Sequence, residues 1–90
     1  MTAYFIRAVG FANGAPCPHE GEYLKSFDHD TPDGLGYGEF TRDLSEAKLF
    51  ASRARALEFW RRPSRSRPLR PDGEPNRPLT CLTVAVEPLP

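Results

Sequence analysis

Arginines are concentrated in one stretch of this 90-residue chain, between Arg53 and Arg77. The stretch holds eight of the twelve basic residues: Arg53, Arg55, Arg61, Arg62, Arg65, Arg67, Arg70 and Arg77. Guanidinium groups form paired hydrogen bonds with phosphate and carboxylate oxygens. Phe59 and Trp60 lie directly before Arg61, and an aromatic ring beside cations adds a stacking surface. The chemistry that this stretch offers is recognition of anionic groups.

Two kinds of partner fit a cationic surface that contains an aromatic residue. Trp and Arg are enriched at the hot spots of protein interfaces, and an acidic protein is steered toward arginines. We therefore predict a small non-enzymatic binding or adaptor protein, with a protein partner or self-association. The alternative is a nucleic-acid-binding protein in which Trp60 stacks on bases, although no recognised nucleic-acid motif accompanies the arginines. A third interpretation is a solvated loop that keeps a small domain soluble.

Groups that serve metal binding or catalysis are sparse. The residue types that zinc prefers occur at four positions: Cys17, His19, His29 and Cys81. Structural zinc sites normally combine two closely spaced pairs, and only the first two of these ligands are close in sequence. His29 lies between two aspartates, as an acid–base group does, but aspartates before a Pro-Asp-Gly sequence are also typical turn residues. We predict no metal, no cofactor, no small-molecule substrate and no catalytic residue.

Charge is divided unevenly along the chain, although the formal net charge is zero. Residues 1–50 carry four basic and eight acidic side chains, whereas residues 51–78 carry eight basic and three acidic ones. An acidic half that meets the basic half of a neighbour is one route to a homodimer. No apolar stretch approaches the roughly 20 residues of a membrane span, and Arg7 interrupts the apolar start, so no signal peptide is predicted. With two cysteines only, we expect a cytoplasmic protein with reduced thiols.

Four segments have the patterns of β-strands, and turn residues separate the first three. They are residues 2–11, 22–28, 37–41 and 79–87. The first is apolar on both sides, which is typical of a central strand. Pro-Asp-Gly sequences at residues 32–34 and 71–73 predict turns.

Between the third and fourth strands, the sequence predicts a helix of roughly 18 residues over 44–62. Asp43 is a suitable N-cap with Glu46 three residues later, and Pro63 ends the helix. A buried stripe is predicted from helical spacing: Ala47, Phe50, Ala51, Ala54 and Leu57. A Pro/Arg-rich loop follows at about 63–78. The order β-β-(β)-α-β predicts a single α+β domain over 1–90, with one helix packed on a three- or four-stranded antiparallel or mixed sheet.

On the predicted helix, Lys48, Arg55 and Arg62 are each seven residues apart and form an exposed ridge. The loop after the helix is predicted to be loosely held near Ser64–Arg67. Together the ridge and the loop form the predicted contact surface, which consists of Lys48, Arg55, Trp60, Arg62, Arg65, Arg67 and Arg70.

Several short segments also carry a resemblance to other proteins: Gly21-Glu22-Tyr23-Leu24, Phe40-Thr41-x-Asp43, Phe59-Trp60 and the run from Arg70 to Thr80. They resemble small uncharacterised bacterial proteins that are often found near prophage genes, and the resemblance runs through most of the chain. That group has no activity to carry over, so the resemblance implies no residue role. It implies a bacterial cytoplasm, and it favours a binding role because small phage-type proteins often act as inhibitors or adaptors.

Overall fold

The computed structural model describes residues 2–90, and over these residues the fold consists of four strands and one short α-helix. The elements, in chain order, are β1 (Tyr4–Phe11), β2 (Tyr23–Asp28), β3 (Tyr37–Thr41), α1 (Arg53–Trp60) and β4 (Leu82–Pro88), with 3₁₀ turns at Leu44–Glu46 and Pro78–Cys81. The strands form one antiparallel sheet in the order β3-β2-β1-β4. The predicted α+β class, one helix on a four-stranded sheet, is confirmed.

The strands follow the predicted pattern, with one difference at β4. Strand β1 is central, and it pairs with β4 over seven positions, from Tyr4–Pro88 to Phe11–Leu82. The last strand was expected to begin at residue 79, but Pro78–Cys81 forms a 3₁₀ turn. Proline is tolerated at the start of such a turn because its missing N–H would have no partner there.

The predicted helix over 44–62 is wrong in its length. Leu44–Glu46 forms one 3₁₀ turn, residues 47–52 are not helical, and α1 covers only eight residues, Arg53–Trp60. In residues 2–90 no helix is both long and apolar enough to cross a membrane.

The 3₁₀ turn at Leu44–Glu46 and helix α1 have separate N-caps. Asp43 accepts a hydrogen bond from the Ser45 N–H at 2.9 Å, so it is a cap as predicted, but it caps the 3₁₀ turn. Helix α1 begins at its own cap, Ser52, whose Oγ accepts from the Arg55 N–H at 3.1 Å. A serine in this role stabilises a helix by about 1 kcal/mol.

Residues 47–50 are extended because they bond to the backbones of β1 and β2. Phe50 exchanges two backbone hydrogen bonds with Tyr4, of 2.9 and 2.8 Å, and the Lys48 N–H donates to the Leu24 carbonyl at 2.9 Å. Strands β1 and β2 are paired at a single position, Arg7 with Tyr23. Residues 47–50 therefore supply backbone hydrogen bonds to both strands where the two strands do not bond to each other. A helix through residues 47–50 would lose these three hydrogen bonds and move the buried Phe50 side chain.

The core lies where α1 and residues 47–50 pack on the sheet. Its buried members are Ile6, Cys17, Leu24, Phe50, Ala56, Phe59, Leu79 and Leu82. The predicted stripe is only partly correct, since Ala47 and Phe50 are buried but Ala51 and Ala54 are exposed and Leu57 is intermediate. The buried residues of α1 itself are Ala56 and Phe59, because a helix that begins at residue 53 turns a different side toward the sheet.

Both predicted Pro-Asp-Gly turns are present. The Gly34 N–H donates to the Thr31 carbonyl at 3.0 Å, and the Gly73 N–H donates to the Arg70 carbonyl at 2.9 Å. The two glycines have φ angles of +74° and +85°. These left-handed conformations strain other residues, which explains glycine at both positions.

Candidate binding surface

The segment after α1 is fixed to the turn between β2 and β3. Ser64 is 1 % exposed, and its Oγ accepts the Arg67 N–H at 3.1 Å. The Asn76 amide joins the two segments, because its Nδ2 donates to the carbonyls of Gly34 at 2.7 Å and of Arg67 at 2.9 Å. The prediction that the chain is loosely held near Ser64–Arg67 is therefore wrong.

Arg65 and Arg67 contact the acidic turn of the same chain. The Arg65 N–H donates to Asp30 Oδ1 at 2.7 Å, and its Nε lies 3.5 Å from Asp30 Oδ2. Arg67 Nε donates to the Pro32 carbonyl at 3.2 Å. Hydrogen bonds, chiefly from a backbone N–H, lower the pKa of Asp33, and the charge of Arg67 adds to this effect. Part of the predicted contact surface is thus engaged within the chain.

Lys48 and Arg62 do not form the predicted ridge with Arg55. Lys48 lies in the extended segment before α1, and Arg62 follows the C-cap of the helix, so only Arg55 is a residue of α1. The Lys48 ammonium and the Arg62 guanidinium instead lie over the ring of Phe59, each 5.1 Å from its centroid. The cations are held by attraction to an aromatic face. The ridge is wrong because helical spacing does not apply outside Arg53–Trp60.

Trp60, the last residue of α1, borders an open groove of about 840 Å³. The indole Nε1 donates to the Leu82 carbonyl at 3.1 Å, and this bond fixes the ring against β4. Other residues that line the groove are Leu35, Arg61, Arg70, Asn76 and Arg77. We call this feature the Trp60 groove. It joins the end of α1 to the loop that Asn76 fixes.

The Trp60 groove has more cationic than anionic side chains. Arg61, Arg70 and Arg77 line it, together with the single carboxylate of Glu74. Arg70 forms a salt bridge with Asp72 at 3.2 Å. Arg61 and Arg77 form none with any residue of the described range 2–90. The groove is therefore lined by two arginines that have no salt-bridge partner among residues 2–90.

Sequence reasoning identified only part of the groove. Trp60 and Arg70 are in the predicted surface, whereas Arg61, Arg77 and Leu35 were not included. Both missed arginines belong to the arginine-rich stretch, so composition gave a signal. Their place beside Trp60 depends on how the loop packs against α1, which spacing along the chain does not reveal.

The histidines do not line the groove. His19 Nδ1 lies 2.7 Å from Glu22 Oε1, and this hydrogen bond lowers the pKa of Glu22. Burial lowers the pKa of His29, whose Nε2 bonds to the Phe59 carbonyl. Burial also raises the pKa of Cys81, which keeps this groove thiol protonated. Over residues 2–90 no three His, Cys, Asp or Glu side chains are grouped as metal ligands.

No protein-family model, curated protein or solved structure matches this chain. The resemblance to prophage-associated bacterial proteins therefore stays a prediction. An assignment of function depends on the geometry and charge of the surface around Trp60.

Proposed function

We propose that this chain is a small non-enzymatic binding protein that uses the Trp60 groove to hold an acidic segment of a partner protein. One observation carries the proposal: Arg61 and Arg77 lie beside a fixed tryptophan and have no salt-bridge partner within residues 2–90. The bacterial cytoplasm that the resemblance implies is part of the same proposal. Arg55 and Arg62 extend the positive charge beyond the groove, while Arg65 and Arg67 help to fix its shape.

The fixed position of Trp60 favours binding. Its indole N–H is already bonded to Leu82, so little rotamer freedom is lost when a partner packs against the ring. The guanidinium groups of Arg61 and Arg77, which form no salt bridge within residues 2–90, suit carboxylates, since charge-assisted hydrogen bonds are stronger than neutral ones. A tryptophan next to arginines is the usual composition of an interface hot spot.

The groove also has an apolar part. Leu35 lines it and is 74 % exposed, and Pro75 and Pro78 line it as well. An exposed leucine beside an indole ring gains stability when an apolar side chain covers it. The partner segment that fits best therefore carries an apolar residue with carboxylates near it.

A second copy of the chain fits this surface less well. In the homodimer considered from the sequence, the acidic half of one copy meets the basic half of another, but the acidic turn after β2 bonds to Arg65 and Arg67 of its own chain. These contacts within one chain leave less acidic surface for the arginines of a second copy. We therefore favour an unlike partner over self-association.

A non-enzymatic role agrees with the surroundings of the two histidines. Within residues 2–90 the imidazole ring of neither His19 nor His29 is hydrogen-bonded to a hydroxyl or thiol side chain. The Cys17 thiol accepts only the backbone N–H of His19, at 3.4 Å. A nucleophile next to a general base is the common arrangement for covalent catalysis.

Nucleic-acid binding is the second candidate, and the same tryptophan and arginines favour it. An aromatic face among cations is the arrangement by which proteins hold single strands. The exposed Leu35 and the neighbouring Pro75 of the groove suit an apolar side chain better than a phosphate backbone, so we rank this candidate second.

Fluorescence of Trp60 tests both candidates, because it is the only tryptophan of the chain. We would titrate the protein with three probes: a Glu/Asp-rich peptide with one central leucine, a single-stranded oligonucleotide and a duplex. The expected result is a saturable change with the acidic peptide that weakens with added salt. A response to the oligonucleotides alone would replace the proposal with the second candidate. No response to any probe at low salt would overturn both.

Substitutions locate the contact. Arg61→Gln and Arg77→Gln should each weaken peptide binding about tenfold, the expected loss of one charge-assisted hydrogen bond. Arg42→Gln is the matched control, since Arg42 is exposed but does not line the groove. An equal loss in all three variants would indicate a non-specific charge effect.

A further inference from the structure

The two edges of the sheet differ in what covers them. At the β4 edge, Trp60 Nε1 donates to the Leu82 carbonyl at 3.1 Å, and Arg53 Nη1 donates to the Val86 carbonyl at 2.7 Å. Leu82 and Val86 are four residues apart in β4, so their carbonyls point to the same side of the strand. Side chains of α1 therefore occupy the outer edge of β4.

The β3 edge has no comparable cover. Within residues 2–90 the backbone of Tyr37–Thr41 bonds only to β2; no side chain and no loop amide reaches it. In an antiparallel pair, only alternate residues bond to the neighbouring strand, so about half of the β3 backbone groups point outward. This strand also lacks Lys and Pro, which proteins commonly place on an edge to prevent pairing with another chain.

The side chains of β3 indicate what would pair there. Every second residue of a strand lies on the same face of the sheet, so Tyr37, Glu39 and Thr41 share one face. Tyr37 is 63 % exposed. An added antiparallel strand places a residue directly opposite Glu39, and an opposite charge at such a position is stabilising. Two copies paired about the centre of β3 would place Glu39 opposite Glu39, which is destabilising.

We propose that β3 is a second interaction surface, on which an extended segment of a partner protein adds as a fifth strand with a basic residue opposite Glu39. Backbone hydrogen bonds supply the affinity, and the alternating side chains supply the selectivity. The proposal does not depend on the Trp60 groove. A chain with both surfaces binds an acidic segment at one and a basic extended segment at the other, as an adaptor does.

The probe is a short peptide of alternating β-branched residues with one central lysine. Its binding to the full chain is followed by hydrogen exchange of the backbone amides. The expected result is added protection of amides within Tyr37–Thr41 and no added protection in Leu82–Pro88. Protection confined to other residues, or no protection at saturating peptide, would overturn the proposal.

A charge swap separates strand addition from non-specific attraction. Glu39→Lys should weaken the binding of the lysine peptide about five- to tenfold. A peptide with a central glutamate should bind this variant with the affinity that the lysine peptide has for the unchanged chain. Glu20→Lys is the matched control, because Glu20 is also exposed and is not in a strand. Equal weakening by both substitutions, or no recovery with the glutamate peptide, would contradict pairing at Glu39. The protein could also dimerise in the absence of any peptide. If Glu39→Pro abolishes such a dimer, the β3 edge pairs with a second copy of the chain instead.

Discussion

His29 Nε2 lies 2.9 Å from the carbonyl oxygen of Phe59, and the histidine is only 2 % exposed. A carbonyl oxygen only accepts hydrogen bonds, so this nitrogen carries a proton and donates it. The rings of Phe27 and Phe59 both contact the imidazole edge-on, with centroids 4.8 Å away. The neutral imidazole thus joins the end of β2 to the end of α1.

The burial of His29 makes stability depend on pH. Burial lowers the pKa of His29 and the charge of Arg62 lowers it further, while the hydrogen bond to the Phe59 carbonyl and the charges of Asp30 and Asp28 oppose the shift. The unfolded chain therefore takes up a proton first, near its ordinary pKa of 6.5. We expect the free energy of unfolding to be highest above this pH and to fall as the pH drops from 6.5 toward the lower pKa of the folded state.

Urea denaturation at pH 7.5 and pH 5 measures the effect. The glutamine in His29→Gln does not titrate and retains an amide donor, so this variant should lose most of the difference between the two pH values. His19→Gln, at the more exposed histidine, should keep it. A pH dependence that is unchanged in His29→Gln would show that other groups cause it.

A methyl group at Gly34 should destabilise the protein more than one at Gly73. Both glycines have positive φ, so alanine at either position costs about 1 kcal/mol in backbone strain. A Cβ at Gly34 would also lie 2.7 Å from Cβ of Arg67, whereas no atom of residues 2–90 lies within 4 Å of one at Gly73. The added overpacking is expected to cost about 1–3 kcal/mol. Urea denaturation of Gly34→Ala and Gly73→Ala gives the comparison, and equal losses would mean that the loops do not meet closely.

Leucine substitutions in α1 distinguish the observed helix from the predicted one. Ala56 is buried in the core and Ala54 is exposed. Ala56→Leu should therefore cost about 1–3 kcal/mol through overpacking, while Ala54→Leu should stay within about 0.5 kcal/mol of the unchanged chain. The two changes have the same helix propensity, so thermal or urea unfolding reports packing alone. The reverse order would support the predicted stripe.

Asn76 should contribute more to stability than the salt bridge between Arg65 and Asp30. Asn76→Asp replaces a donor by a carboxylate that faces two carbonyl oxygens, those of Gly34 and Arg67. We expect a loss of about 2 kcal/mol or more, the usual cost of an unsatisfied polar group. Arg65→Gln removes an exposed ion pair and should cost less than about 1 kcal/mol. Similar losses in denaturant unfolding would contradict this ranking.

Features that depend on neighbouring residues were predictable from the sequence. Strand β3 lies at residues 37–41, as predicted, because the turn residues over 32–36 directly before it act locally. The turn at Gly73 has the same kind of origin. Each of these elements forms from interactions within a few residues, and the sequence displays all of them.

The helix and the ridge were not predictable in this way. Helix propensity over 44–52 is favourable, but Phe50 bonds to Tyr4 and Lys48 bonds to Leu24, both far away in the chain. Such tertiary contacts override a local preference that amounts to a few tenths of a kcal/mol per residue. The order of the loop has the same explanation, since it depends on Asn76 contacting Gly34 across 42 positions. Trp60 was included in the predicted surface because tryptophan and arginine are both enriched at interface hot spots, which the sequence alone displays.

The first strand of the chain finds most of its pairing in the last one. Strand β1 pairs with β4 at seven positions and with β2 at one. During synthesis, β1 leaves the ribosome about 70 residues before β4 does. Contacts between distant segments form slowly, because the loop must close before they are gained. The pairing of β1 with β4 is therefore expected to form only after translation has passed Pro88, and until then that edge of the apolar central strand is exposed to chaperones.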